Sequence, residues 1–467
     1  MKFWLAIIVV LSGIGLAAHA EDSQIYIDVG QAQVKKSLLA LPPLVYVGTQ
    51  PSNATHLQAG QNLYRIILND LTVSSFFTFI KPEAYLEDPN KVGLKPAPGT
   101  ANGFTFSKWA TIGTEFLIRA AYNLVGGDLT LEVYVYHVPS TKLVMGKIYR
   151  GTQPTLRRMA HTFGDDLIKT LTGKRGMFQS RIVASRQDQK FAEGVKGAGT
   201  KEIYLMDWDG ANQQKISSHQ SIALSPTWST SGTKIAYTAF AFHKAQKMRN
   251  ADLFIYDIPT GKRFLVSYRK GINSGAAFMP GDETLLLTLS HDGSPDIYKM
   301  SADGTNLEAL THGPNRAMNV EPAVSADGKS IAFSSDRVGR PMVFVMSASG
   351  GSVRRLTTAG KYNASPAWSP DGKTIAFAGQ DQDHFDIFTM SADGGNLKRL
   401  TDARKPNGRA ANNESPSWSP DGRHIAFSSD RTGTSQIYLV NPDGTNERRL
   451  TDDHFHWEKP KWSPYLD

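Results

Sequence analysis

The 467-residue chain contains no cysteine, which excludes disulfides, thiolate metal sites and cysteine nucleophiles. It does not decide the compartment, since a domain of this size can bury enough core to hold without bridges. The formal net charge is +8, yet lysine and arginine are scattered among acids with no block of five or more, which speaks against a nucleic-acid interface. No Gly-x-Ser-x-Gly elbow and no His-Glu-x-x-His pair occurs, so a serine-hydrolase or zincin mechanism lacks its central residues. Beyond the first 20 residues no stretch is apolar enough to cross a bilayer.

What is present begins with Met1-Lys2, an apolar run from Phe3 to Ala18, and the small-x-small pattern Ala18-His-Ala20. This reads as a secretory signal peptide, residues 1–20, cleaved after Ala20. The expected mature protein is therefore soluble and extracytoplasmic. Residues 21–33 follow with strand alternation but no local hairpin partner, so the new terminus is a candidate for strand addition to another protein's sheet.

Residues 34–173 predict a small α/β domain. Ser37 to Val47 reads as a strand broken by a proline pair, and Gln58 to Val73 as a helix with Leu63, Ile66, Ile67 and Leu71 on one face. Phe76 to Ile80 is a short strand, Pro82 to Gly103 a loop, and Phe106 to Gly113 a short helix. Glu115 to Val125, Leu129 to Val138 and Lys142 to Tyr149 form a meander, and Thr155 to Leu171 is the clearest amphipathic helix. Residues 174–180 join this domain to the next.

Residues 181–467 are organised by a repeat. Pro366-Ala-Trp-Ser-Pro-Asp-Gly-Lys-Thr-Ile-Ala-Phe377 has close copies at Pro416 to Phe427, Pro322 to Phe333 and Pro226 to Tyr237, and a degenerate one around Phe278. Taking Trp228, Phe278, Val324, Trp368, Trp418 and Trp462 as equivalent, subtraction gives spacings of 50, 46, 44, 50 and 44, a propeller-blade period. Each copy is a hairpin in which Ser-Pro-Asp-Gly sets the turn, and two later strands complete a four-stranded blade. Arg181 to Met206 lacks a first strand, while Lys459 to Pro464 supplies one with nothing after it. The prediction is an all-β six-bladed β-propeller closed by the C-terminal strand, behind an N-terminal α/β domain.

Carboxylates in Asp207-Trp-Asp-Gly210 and the Ser-x-Asp-Gly turns never continue as a calcium loop, and Asp336-Arg337 and Asp430-Arg431 recur at equivalent places, so structural roles are expected of both. Loops entering each first strand run to the propeller's opening, which nominates a docking rim of His219, Ser221, Asn273, Ser274, Gly275, Asn319, Glu321, Asn363, Ser365, Asn413, Glu414, His456 and Glu458. No cofactor is implied. Two other classes stay open: an exported propeller enzyme of the metal-dependent lyase or lactonase type, and a glycan-binding module. The repeated tryptophans, however, sit where packing would use them.

Taken together, these parts resemble the TolB family, the periplasmic components of the Tol-Pal system of Gram-negative bacteria. The landmarks are Leu39-Ala-Leu-Pro-Pro43, Asn69-Asp-Leu71 before Phe76-Phe77, Arg158-Met-Ala-His161 with Asp165, Leu171-Thr-Gly173, the Trp-Ser-Pro-Asp-Gly repeats and terminal Trp462-Ser-Pro-Tyr-Leu466. The resemblance implies a non-enzymatic periplasmic scaffold for outer-membrane integrity and invagination at cell division. It implies that the opening receives the lipoprotein Pal, with Asn273, Ser274 and Gly275 foremost and Asn319 and Glu321 next. It implies that the TolA C-terminal domain captures the terminal strand Glu21, Asp22, Ser23, Gln24, Ile25, Tyr26, Ile27, Asp28, Val29, Gly30, Gln31, Ala32 and Gln33. Other outer-membrane partners stay open, and a monomer is the default. Two features depart from the pattern: the degenerate turn after Phe278, and the Ser217–Ser221 loop with the Ala239–Arg249 insertion, which reshape one side of the ring.

Overall fold

The computed structural model describes residues 36–188, 199–243 and 248–466. The expected signal peptide, residues 1–20, and the expected terminal strand, residues 21–33, lie outside them.

In the first domain the proline pair does interrupt the opening strand, giving β1 (Ser37–Ala40) and β2 (Val45–Tyr46), which both pair with the same central strand. Helix α1 (Ala54–Val73) starts earlier than its apolar periodicity indicates. The cause is local: Asn53 and His56 form a reciprocal capping box that satisfies the free N–H groups of the first turn. Then follow β3 (Phe77–Phe79), α2 (Phe106–Thr111), β4 (Phe116–Val125), β5 (Asp128–His137), β6 (Lys142–Thr152) and α3 (Leu156–Thr172).

The sheet runs β3-β1-β4-β5-β6, and the alternation of β4 assigns its two faces. Phe116, Ile118, Ala120 and Tyr122 pack beneath α1 and α3, whereas Leu117 joins Phe104 and Trp109 on the other side. Arg119, fully buried, points to that second side and donates to Pro89 O and Val92 O, both at 2.8 Å. Thus the 82–103 loop is held by a guanidinium, which satisfies carbonyls that burial would otherwise strand.

The propeller has six four-stranded sheets. Blade 1 takes its inner strand, Trp457–Trp462, from the C-terminus and its other strands from Arg181–Gln187, Lys201–Asp207 and Gln214–Lys215. This antiparallel closure buries an edge at each end of the array. The inner strands of blades 2 to 6 are Ala223–Trp228, Asn273–Phe278, Asn319–Val324, Tyr362–Trp368 and Asn413–Trp418.

The repeated tryptophans link blades. Trp228, Trp368 and Trp418 donate their indole N–H to the Lys461, Ala323 and Ala367 carbonyls of the preceding inner strand, at 3.0–3.1 Å. In the Ser-Pro-Asp-Gly turns the serine hydroxyl donates to the aspartate, as at Ser369–Asp371 (2.6 Å), and Gly372 takes φ +69°. The degenerate turn of blade 3 complements its neighbour. Blade 2 has serine where the turn aspartate belongs, and Asp282 of blade 3 reaches across to accept from Thr230 N (2.6 Å) and Ser231 N (3.0 Å).

The joining segment 174–180 is packed rather than loose. Met177 and Phe178 are buried in a cluster that runs without a break from Leu63 and Phe163 to Trp208, Trp457 and Trp462. The first domain rests on the turns between first and second and between third and fourth strands: Arg423 stacks on Phe76 at 3.9 Å, and Arg448 donates to Asn69 Oδ1 at 2.9 Å. In an antiparallel meander the remaining loops emerge at the opposite end, so the propeller's far face is left uncovered by the first domain.

Candidate functional site

Each inner strand carries a bulge at the same place. Ser225, Gly275, Glu321, Ser365, Ser415 and Lys459 all have φ between +50° and +61°, and the pairing register shifts around each. A bulge turns two consecutive residues to one side. Here that side is the central channel, so the residue before each bulge and the bulge residue itself both face it.

The result is a cavity of about 930 Å³ opening on the far face. Three tiers descend from its mouth. Ile272, Tyr362, Asn412 and His456 line the first, with Met318 at the equivalent rim position. Leu224, Ser274, Val320, Ala364, Glu414 and Glu458 form the second, and the six bulge residues the third. One side is apolar: Ile272, Met318 and Tyr362 are each about 40% exposed, and Tyr362 stands edge-on to Phe385 with ring centroids 5.4 Å apart. The other side, with Glu414, Asp430, His456 and Glu458, is polar and acidic.

Glu321 crosses the channel from its bulge. It accepts from Ser365 N at 2.9 Å and from the Ser365 hydroxyl, and lies 3.7 Å from Lys459 Nζ. Desolvation raises the carboxyl, but the Lys459 ammonium and the Ser365 donors outweigh it and hold the pKa below the ordinary glutamate value. Glu414 shifts the other way, raised first by desolvation and then by Glu458, Asp430 and Glu321. Deeper in, desolvation pulls Lys461 down to about 8.

The expected rim divides on this geometry. Ser274, Gly275, Glu321, Ser365, Glu414, His456 and Glu458 line the channel. Asn273, Asn319, Asn363 and Asn413 do not: their side chains are buried within the blades, which corrects their placement on the rim. Asn319, for example, donates to Asp296 Oδ1 at 2.7 Å and accepts from Arg337 Nη2 at 2.6 Å; Asn413 repeats this with Asp386 and Arg431. Asn273 donates to the Arg269 and Ala251 carbonyls instead. These asparagines tie the entering loop to the third strand of the preceding blade.

His219 and Ser221 are also set back from the channel. His219 packs at a tilt against Phe254, centroids 4.6 Å apart, and Ser221 accepts from Arg249. They precede the start of their inner strand by more residues than the other candidates do, so they fall behind the rim. The apolar rim residues were missed, although a signal exists: Ile272, Met318 and Tyr362 each directly precede one of the repeated asparagines. The insertion in blade 2 lengthens its second and third strands, Lys234–His243 and Met248–Asp257, and leaves Phe242 exposed beside the mouth.

The carboxylates of Asp207 and Asp209 serve the interdomain contact. Together with His161 they form the one cluster of metal-ligating groups among the described residues, but Arg157 of α3 pairs with Asp209 at 2.6 Å and Asp207 at 3.5 Å. Behind it, buried His161 Nδ1 lies 2.8 Å from Asp70 Oδ2. Burial raises Asp70 to about 7, and desolvation of His161 is outweighed by that carboxylate, so the histidine is raised as well. The geometry is that of an ion network joining two domains. No helix of the described residues is long and apolar enough to cross a membrane.

Residues 168–466 match the family model described as the TolB beta propeller domain, and residues 25–144 that of the TolB amino-terminal domain. The chain is 34% identical over 287 residues to the "Tol-Pal system protein TolB" of Desulfosudis oleivorans, across 61% of this chain and 60% of that protein. It is 33% identical over 293 residues to the "Protein TolB homolog" of Chlorobium chlorochromatii, across 63% of this chain and 59% of that one. The match thus spans about three fifths of the length of these relatives. The crystal structure of TolB from Acinetobacter baumannii superposes with a TM-score of 0.74 at 23% identity, over 95% of this chain and 100% of that one, a likeness of fold.

Proposed function

The chain belongs to the TolB family, and from that premise we propose that it is a periplasmic, non-catalytic scaffold of the Tol-Pal system. In this reading Pal docks in the propeller mouth, and the mature N-terminus, residues 21–33, is offered to the C-terminal domain of TolA by strand addition. The complex serves outer-membrane integrity and its invagination at division. Residues 1–20 carry the pattern of an export leader, which accords with that compartment.

The observation that carries the Pal proposal is the two-sided mouth. An apolar crescent of Ile272, Met318 and Tyr362 faces an acidic side of Glu414, Asp430 and Glu458. Aromatic and aliphatic anchors that desolvate in a concave site supply most binding energy, while charges opposite them orient the partner and exclude wrong ones. A metal-dependent lyase would need ligands converging in the channel. The channel's one histidine among the described lining residues, His456, has its Nδ1 3.4 Å from Ser435 N.

The test is calorimetric titration of the mature protein with the soluble domain of Pal. Tyr362→Ala and Met318→Glu change exposed rim residues, so folding stays intact. Each is expected to weaken binding at least about tenfold, the effect of removing an anchor worth about 1.4 kcal/mol. Undiminished affinity in both variants would move the docking site away from the mouth.

A further inference from the structure

The aromatic side chain on each blade's third strand carries a cationic or imidazole group from the same chain, with one exception. Arg186 lies 3.7 Å from the Tyr204 ring centroid in blade 1, and His219 lies 4.6 Å from that of Phe254 in blade 2. His291 lies 5.1 Å from Tyr298 in blade 3, Arg337 4.9 Å from Phe344 in blade 4, and Arg431 4.1 Å from Tyr438 in blade 6. In blade 5 the equivalent ring is Phe388, stacked on Phe377 as Phe344 is on Phe333 in blade 4, and no such group covers it among the described residues.

Register explains the exception. Ser335-Asp-Arg337 and Ser429-Asp-Arg431 become Gly379-Gln-Asp381 in blade 5. In blades 4 and 6 the arginine donates to that serine's hydroxyl and to the Oδ1 of the buried asparagine, Asn319 or Asn413. Blade 5 keeps the asparagine, Asn363, but its Oδ1 accepts from no group among the described residues. The side chain is 4% exposed and its Nδ2 is used by Ala359 O at 2.8 Å.

A cavity of about 180 Å³ stands where the arginine would be, with Phe377, Phe388, Asn363, Gly379 and Gly360 in its wall. The glycines keep it open. A Cβ at 379 would lie 2.9 Å from Asn363 Oδ1 and one at 360 would lie 3.4 Å from it. Exposed Thr358, Ala359 and Asp381 flank the opening, so an acid stands where the neighbouring blades place their arginine. The nearby Arg355 is committed to the Thr357 and Thr358 carbonyls, and Arg399 to Asp386, its Nη1 lying 4.0 Å from Asp381 at the entrance.

We propose that this pocket in blade 5 binds the arginine side chain of a protein partner. The guanidinium lies over the Phe388 ring, donates to Asn363 Oδ1 and pairs with Asp381 at the entrance. These are the contacts that Arg337 and Arg431 make within their own blades, with Asp381 added for a cation that comes from outside. A planar, five-donor cation suits an aromatic face and an amide acceptor together, which an ammonium does not.

The experiment is methyl NMR of the mature protein, following Met390 and Leu356 in the pocket wall during titration with N-acetyl-arginine methylamide. The citrulline and lysine analogues serve as neutral and ammonium controls. The expected result is a saturable shift with the arginine probe, at least about tenfold weaker with either control. Asp381→Ala should weaken the response several-fold, and Asp381→Arg should abolish it; both changes are at an exposed position and leave the fold intact. Absence of a saturable shift, equal response to lysine, or full binding by Asp381→Arg would overturn the assignment.

Discussion

Asn319 and Glu321 stand two residues apart on one inner strand, and substitution separates what they do. The Asn319 side chain donates to Asp296 Oδ1 at 2.7 Å and Ala317 O at 3.3 Å, and accepts from Arg337 Nη2 at 2.6 Å. Two of these bonds engage charged groups, each worth about 1.5–3 kcal/mol. In Asn319→Ala, Asp296 retains the Thr311 hydroxyl at 2.7 Å and Arg337 retains Ser335 at 3.0 Å and the Phe344 ring. The loss is therefore less than the full sum, about 3 kcal/mol. Glu321→Gln leaves an oxygen to accept from Ser365 N and forfeits only the 3.7 Å contact with Lys459, a pair about one-third exposed in the open channel. Such a pair is worth about 0–1 kcal/mol, so stability changes by no more than that. Urea unfolding at constant m-value measures the first effect, and titration with Pal under folding conditions the second. Asn319→Ala should unfold early yet bind normally once folded; Glu321→Gln should fold normally and bind with altered affinity. If Asn319→Ala lost under about 1 kcal/mol of stability while abolishing binding, the assignment of the asparagine to blade scaffolding would be refuted.

The Asp70–His161 pair makes stability fall as pH rises. Both groups are raised on folding, Asp70 to about 7, so the folded pair retains a proton near pH 7 that unfolded aspartate and histidine have released. Calorimetric melting between pH 4 and 8 should show a decline approaching about 1.4 kcal/mol per pH unit at its steepest, the value for one proton. Asp70→Asn should flatten it, and an unchanged slope in that variant would assign the proton elsewhere. Trp462→Ala tests the closure of the ring. The indole is buried and donates to Ser180 Oγ at 2.7 Å in the cluster shared by both domains, so a loss of about 4 kcal/mol is expected in denaturant melts. A loss below about 1 kcal/mol would mean that the ring stays closed without this anchor.

Local chemistry and repetition were legible in the order of residues. The blade spacing, the turn serines and aspartates, the apolar stripe of α3 and the complementary ends of the array each state a physical requirement that neighbouring residues meet. The orientation of the rim was not legible in the same way. Alternation gives a strand two faces but does not say which one meets the channel, and the positive-φ bulge places two successive residues on the same side. Hence Ser274 and Gly275 reach the channel while Asn273, adjacent to them, turns toward the preceding blade. The packed joining segment was hidden for a similar reason, since Met177 and Phe178 are two apolar residues whose burial depends on Trp208 lying opposite.

The sequence by itself determined that six similar hairpin units close through their own terminus behind an α/β domain, because period, turn chemistry and missing strands are properties of the chain. Only the tertiary structure decided which residues face the channel, that Asp282 completes a turn in another blade, and that blade 5 leaves open the slot its neighbours fill. Each of these depends on groups brought together from distant positions, where a contact is set by distance and direction in space.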